Sequence, residues 1–548
     1  SSSDDDKAVK TDLGLFDRTF GKQSCEAAPS FKNRWLMAVP AFATHMCIGS
    51  PWAWSIVGDM ITREIGFVAP VAADWSLAQS CLPLSIVFVF LGGAAAVLGP
   101  WQARVGHRTS LLAAAGCFGS GLALGSAGIY MHSLPMLYTG YGALAGLALG
   151  LSYTPCISAL MQWFPDKKGL ASGVTIAGFG SGALLFTPLV QSLSKYFAKM
   201  PDYLGPANEF VLRNVDGKLL TDFNGATVEV VEAMASDIAK LPFSLSEGLY
   251  VVGSGSTGAA ETLAVCAAGY FSVMLASTLF LRVPHSSFAP PGTSPAVDGG
   301  PPEATVVPVR DVSMAEAIRT PQFHLLGVTF TCLAMGGMGI MSVAKPMMSE
   351  VFSGVLPGLV TSSFAAQFLL CLSMANLGGR LGWATLSDIL GRRNVFYIFT
   401  LSSIPVYLSL PYFVQSAVTD GAALPVYAFV GSAVGAISIM GGTYAILPAY
   451  EADLFGAKNI GATHGAMMIY SAAAALLGPA MLLQLRQFSE HSAIHDLITK
   501  VSAEDFSRMF GATKEQATAL IENKSLTVSK LLSIAPSGTL DPTPHLYV

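Results

Sequence analysis

The chain is predicted to be an all-α polytopic membrane protein built as two similar helical halves. Two observations predict this. Of its 548 residues, 52% are hydrophobic and only 12% are charged, with a mean hydropathy of +0.54. Apolar stretches of about 20 residues, long enough to cross a bilayer, recur along it. The second observation is a long-range echo. Tyr153, Phe164, Lys167 and Pro188 recur as Tyr444, Phe455, Lys458 and Pro479, each 291 positions later. A membrane chain made of two similar halves usually carries a solute at the interface between them.

Taken in order, eleven spans are expected, at 34–57, 75–99, 109–130, 135–162, 168–192, 259–281, 321–345, 360–385, 394–414, 422–448 and 462–485. Each must be a helix, because a lipid-exposed backbone has to satisfy its hydrogen bonds internally. The first is interrupted at Pro51, with Trp52 and Trp54 beside the break. The fourth is rich in small residues over Ala143–Gly150, which lets backbones approach closely in lipid. The short loops orient the set. Arg104, Arg108, Lys167, Lys168, Arg392, Arg393 and Lys458 fall on one side, against Arg63 and Lys345 on the other. The positive-inside rule puts the first side in the cytoplasm.

The domain plan follows. Residues 1–33 form a polar cytoplasmic segment that is not a secretory signal; it opens without methionine, so the natural start is expected upstream. Residues 34–281 form a six-helix half with a long non-cytoplasmic loop at 193–258. Residues 282–320 are a Pro/Gly/Ser-rich cytoplasmic linker. Residues 321–485 hold five helices, and 486–548 form a polar tail on the far side, with short amphipathic helices at 502–510 and 514–522. The echo pairs Leu193 with Gln484, so the counterpart of the sixth span is due near position 550, and a twelfth helix is expected beyond Val548. A natural eleven-helix chain is the alternative. The segments 193–258 and 486–548 are candidate partner surfaces in a membrane complex.

Several function classes are excluded or disfavoured. The formal charge is −5 with no basic tract, so nucleic acid is not an expected partner. The eight cysteines, Cys25, Cys47, Cys81, Cys117, Cys156, Cys266, Cys332 and Cys371, form neither metal-ligand pairs nor a disulfide framework. Gly178–Gly182 lies inside a span, and Gly253–Gly258 lacks the lysine of a phosphate loop. No metal, cofactor or enzymatic activity is expected.

Motifs sharpen the reading. Gly99-Pro-Trp-Gln-Ala-Arg-Val-Gly-His-Arg108 and Ala384-Thr-Leu-Ser-Asp-Ile-Leu-Gly-Arg-Arg393 occupy corresponding loops of the two halves. They resemble the repeated glycine- and arginine-rich loop of the major facilitator superfamily. That resemblance implies two six-helix halves and a cytoplasmic gate built from Arg104, Arg108, Asp388, Arg392 and Arg393. Asp388 can serve as the latching acid, whereas Ala103 stands at its place in the first copy. A closer resemblance, to the oxalate/formate antiporter family, is carried by Arg34-Trp35, Gly49-Ser-Pro-Trp-Ala-Trp-Ser55, Asp74–Gln79, Trp163–Gly173, Gly178–Gly182, Asn376–Arg380 and Asp453–Gly456. It implies transport of small carboxylates.

Arg380 is the leading site residue. It lies eight positions before Asp388, roughly 12 Å inside the membrane. A guanidinium there normally faces a cavity or a partner, and its planar fork suits a carboxylate. Asn376 shares its helical face. The family resemblance also implies a substrate-binding arginine here; membership of the cytoplasmic gating network is the alternative. Oxalate-exchanging relatives carry a lysine midway along helix eleven, but the stretch Tyr470–Leu476 has no charge. A monocarboxylate, or a dianion carried with a proton, is therefore favoured over oxalate; Lys345 could compensate but is more simply read as an interfacial lysine. Trp52, Trp54, Gln79, Tyr153, Tyr444 and Tyr470 are further candidates for lining the site, and His45 and His464 are candidate proton carriers. The expected function is secondary transport of a small carboxylate by alternating access, through exchange or with a proton. The alternative is a transporter-like sensor or accessory subunit.

Overall fold

The computed structural model describes residues 33–164, 168–215, 218–223, 225–238, 241–285, 312–456, 460–522 and 524–547. The N-terminal segment 1–32, Lys167, Lys458 and most of the 282–320 linker therefore lie outside the described residues.

The first span is broken, as Pro51 requires. After a 3₁₀ turn at Arg34–Met37, helix α1 (Ala38–Ile48) gives way to a second 3₁₀ turn, Ser50–Ala53, before α2 (Trp54–Ile61). Helix α3 (Leu77–Val105) opens with a capping box, in which the Ser76 side chain accepts from Gln79 N while the Gln79 side chain accepts from Ser76 N. It ends at Gly106, where φ of 86° suits glycine. There follow α4 (His107–Tyr130), α5 (Leu134–Trp163) with a π turn at Tyr138–Leu144, α6 (Lys168–Phe197) and α7 (Ala259–Phe280). The second set is α8 (Pro321–Phe352), kinked at Val343, then α9 (Ser362–Leu390), α10 (Arg392–Asp420), α11 (Ala423–Phe455) and α12 (Ile460–Lys500).

Among the described residues, nine of these helices are long and apolar enough to cross a membrane: α3 to α8 and α10 to α12. The broken α1–α2 and the more polar α9 stand where the first and eighth spans were expected. In their most apolar stretches α5, α6 and α8 are each 72% buried and α10 only 17%, so α8 is central and α10 peripheral. The protein is an integral multi-pass membrane protein.

Small residues set the seam between the helix sets. A Cβ on Gly92 of α3 would stand 2.5 Å from the Met468 carbonyl of α12, and one on Gly465 would stand 2.7 Å from the Ala95 carbonyl. Ser85 Oγ donates to the Ala475 carbonyl at 2.7 Å along the same seam.

Two expectations need correction. Residues 193–258 are more than a polar loop. Helix α6 runs on to Phe197, and the segment folds into a five-stranded antiparallel sheet of order β1-β5-β4-β3-β2, with β1 Tyr203–Gly205, β2 Arg213–Val215, β3 Lys218–Phe223, β4 Ala226–Ala233 and β5 Gly248–Val251. In β4, Val231 and Ala233 pack with Tyr250 of β5 against Phe67 and Val68 of the loop after α2. The second correction concerns the tail. Helix α12 continues fifteen residues past 485, to Lys500. Its polar end is covered by α13 (Ala503–Phe510), α14 (Ala517–Glu522) and α15 (Val528–Ile534), whose Phe506, Phe510, Leu520 and Leu531 pack on Ile494, Leu497 and Val501. Sheet and tail sit at the same end of the bundle: Gly253 N donates to the Ile65 carbonyl at 2.9 Å, and Lys524 Nζ donates to the Asp74 carbonyl.

Candidate functional site

Arg380 occupies the inner face of α9 and is fully buried. Nε donates to Asn376 Oδ1, one turn earlier, at 2.9 Å, and Nη1 donates to the Ile176 carbonyl of α6 at 3.3 Å. The guanidinium carbon lies 5.3 Å from the ring centres of both Phe179 on α6 and Tyr444 on α11. One aromatic face therefore comes from each helix set. Glycine makes the approach possible, since a Cβ on Gly180 would stand 2.9 Å from Arg380 Cδ and Nε. Among the described residues, Arg380 Nη2 and Asn376 Nδ2 have no hydrogen-bond partner.

The remaining wall is aromatic. Tyr153 on α5 packs edge-on to Phe179 at 5.6 Å. Trp52 lies 4.8 Å from Phe88 and 5.8 Å from Phe179, with its Nε1 unpartnered among the described residues. Tyr444 Oη is 2.6 Å from Ser471 Oγ on α12. His45 packs 5.3 Å from Tyr153, and its Nδ1 is 3.2 Å from the Ala41 carbonyl. Arg380, Asn376, Tyr153, Phe179, Tyr444, Trp52 and His45 are all within 2% of complete burial, so this arrangement is closed to both ends of the bundle.

The structure brings together Arg380, Asn376, Trp52, Tyr153, Tyr444 and His45 from the sequence candidates. Three others lie elsewhere. Gln79 is exposed and spent on the N-terminal cap of α3. Trp54 turns into the first helix set, where Nε1 donates to the Ser80 carbonyl at 2.6 Å and the ring packs on Tyr141. Tyr470 points along α8, with Oη 2.7 Å from His324 Nδ1. The inward position is its neighbour, Ser471.

The gate candidates divide as well. Arg392 forms the latch, with Nη2 donating to Asp388 at 2.9 Å and Nε 3.2 Å from Asp453 Oδ2 of α11. Arg393 instead holds Tyr397 on its own helix at 3.0 Å. Arg108 is buried, and its Nε and Nη2 donate to the carbonyls of Leu281 and Leu279. It thus caps the C-terminal end of α7, where a cation suits the helix dipole. Arg104 is exposed.

Sequence reasoning missed four features. Phe179 supplies a face of the Arg380 sandwich. Asp453 completes the Arg392 latch. Glu451, fully buried on α11, accepts or shares a proton with His464 Nδ1 at 3.1 Å. Lys345, read as interfacial, is buried on α8 and donates to Asp59 Oδ2 of α2 at 2.6 Å; Arg63 Nη2 donates to the same oxygen at 2.5 Å. All three acids fell outside the expected spans, which stopped at 57 and 448.

Relatives extend over most of this arrangement. An MFS-type transporter of Escherichia coli strain K12, YhjX, is 25% identical over 80% of the chain and 85% of its own length. The chain is similar to this MFS-type transporter over most of its length. Apicoplast pyruvate carrier 1 of Toxoplasma gondii is 28% identical over 84% of the chain and 85% of its own length. The oxalate:formate antiporter of Oxalobacter formigenes is 25% identical over 81% and 83%. No family model matches the chain. These relatives are transporters, and in this chain Arg380 sits where the two helix sets meet.

Proposed function

We propose that the protein is a secondary active transporter of small monocarboxylates, working by alternating access. The observation that carries this reading is Arg380. It is a fully buried cation between Phe179 and Tyr444, with no ion-pair partner among the described residues and an unused Nη2. Burying a charge without a counter-charge is expensive, and a substrate carboxylate supplies one. Its two oxygens accept from the guanidinium fork, while Asn376 Nδ2 and Tyr153 Oη offer further bonds. The aromatic wall suits a small planar anion, and among the described residues it holds no second cation for a dianion. A pyruvate carrier and an oxalate:formate antiporter among the relatives support the carboxylate class. In this reading the halves 34–281 and 321–485 rock about the Arg380 ring, and the Asp388–Arg392–Asp453 latch closes one end.

Uptake of labelled pyruvate, lactate, formate and oxalate into proteoliposomes tests this. Pyruvate or another monocarboxylate is expected to be carried in preference to oxalate. Arg380→Lys keeps the charge and loses the fork. With about 1.5–3 kcal/mol for a hydrogen bond to a charged group, transport should fall by roughly 10- to 100-fold while expression and monodispersity hold. Normal transport by Arg380→Lys would overturn the assignment.

A further inference from the structure

We infer that the buried Glu451–His464 pair is a proton-loading site, coupled through Tyr153 to the anion at Arg380. This rests on reading Arg380 as the carboxylate site. Glu451 is fully buried and His464 is 3% exposed, and they meet at 3.1 Å between α11 and α12. A purely structural pair would use its remaining polar atoms. Among the described residues Glu451 Oε2 and His464 Nε2 have no partner, although each such buried atom costs about 1–3 kcal/mol. Each is a place where a further proton can be bound.

The position is also specific. Glu451 lies seven residues beyond Tyr444, on the same face of α11 and about 10 Å along it. The His464 ring stacks on Tyr153 at 6.1 Å and 24°. Tyr153 in turn packs edge-on to Phe179 of the Arg380 sandwich at 5.6 Å, and its own hydroxyl is unpartnered among the described residues. Among the described residues the other charged groups nearby are occupied or turned away, and one further imidazole, His45, keeps an unpartnered Nε2. His45 of α1 lies on Tyr153. His324 of α8 bonds Tyr470, Arg392 of α10 holds Asp388 and Asp453, Arg393 holds Tyr397, and Arg104 at the end of α3 is exposed. The repeat does not require the pair, because its counterparts 291 positions earlier are Leu160 and Gly173.

Protonation balances as follows. With one proton shared between Oε1 and Nδ1 and none on Oε2 or Nε2, the pair carries one negative charge. A second, taken from the aqueous phase at Oε2 or Nε2, neutralises it and removes a negative charge from beside the ring. That favours an anion at Arg380, and by reciprocity a bound anion favours the proton. One monoanion and one proton then cross together and move no net charge.

The test uses the purified protein in proteoliposomes with labelled pyruvate. Two assays are run: accumulation driven by an inward proton gradient, and exchange at equal pH. One pH unit supports up to about tenfold accumulation at one proton per monoanion. The parent should approach this. Glu451→Gln and His464→Gln should lose gradient-driven accumulation yet retain exchange, whereas Arg380→Lys loses both. A parent that ignores the gradient, or pair variants that accumulate like the parent, overturns the inference. Exchange preserved in Arg380→Lys overturns the reading of Arg380 instead. Infrared difference spectra of the protein without substrate give a readout independent of transport. A carboxylic-acid band that titrates in the parent must be missing in Glu451→Gln, and its persistence would remove Glu451 from the site.

Discussion

At the scale of single residues, Arg380 was legible because a guanidinium about 12 Å inside a membrane helix needs a reason. Its partners were less so. Asn376 shares a helical face with it, a local relation that spacing reveals. Phe179 reaches it from α6, and Ser471 reaches its neighbour Tyr444 from α12, relations that no spacing encodes. Tyr470, favoured as the echo of Phe179, is one position off the inward face: Ser471 is fully buried against Tyr444, while Tyr470 reaches His324. The absence of a second cation can be tested at this position. Ser471→Lys places an ammonium beside Tyr444 and the Arg380 ring. One added charge-assisted bond of about 1.5–3 kcal/mol should raise preference for oxalate over pyruvate by at least about tenfold, read by competition at neutral pH. Ala473→Lys, half-buried and off that face, should leave the preference unchanged.

At the scale of elements, composition located the helices, and charge cut them too short. Asp59 and Glu451 looked like loop residues and prove to lie on α2 and α11, the first half-buried and the second fully buried, because each finds a cationic or imidazole partner across the bundle. The sheet at 203–251 was missed although Asn224-Gly225, followed by the β-branched run Thr227–Val231, is a hairpin signal in the sequence. A search tuned to 20-residue apolar helices passes over it. The glycines of 178–182 were read as a resemblance, and their work is steric. A Cβ on Gly182 would stand 2.2 Å from the Gly49 carbonyl carbon, at the crossing of α6 with the broken first span. The same crossing carries Phe179 and Trp52. Gly182→Ala should therefore cost about 1–3 kcal/mol of stability, seen as a lower melting temperature in detergent, and should lower transport. Gly173→Ala on the same helix meets nothing within 4 Å and should change neither.

At the scale of the whole molecule, the arrangement is closed at both ends, and one acid joins the helix sets at the end that carries the sheet and tail. Asp59 of α2 accepts from Lys345 of α8 and from Arg63 of its own helix set, while Cys81 Sγ of α3 sits 3.5 Å from the Ser342 carbonyl beside that lock. Arg63 keeps Asp59 paired when Lys345 is removed, so the loss falls on the contact between the helix sets rather than on the fold. Lys345→Met therefore shifts the population toward a form open at the end that carries the sheet and tail. A shift of about 1.4 kcal/mol would enrich that form roughly tenfold. Cys81 is 2% exposed in the closed arrangement and reports the opening directly. In a variant retaining Cys81 as its single cysteine, Lys345→Met should speed labelling by a membrane-impermeant thiol reagent. Exchanging the charges, with Asp59→Lys and Lys345→Asp together, should slow it again relative to Asp59→Lys alone, where the introduced ammonium would face both Lys345 and Arg63. Labelling unchanged in Lys345→Met would mean that the seam of α3 with α8 and α12 holds the outer end closed without the ion pair.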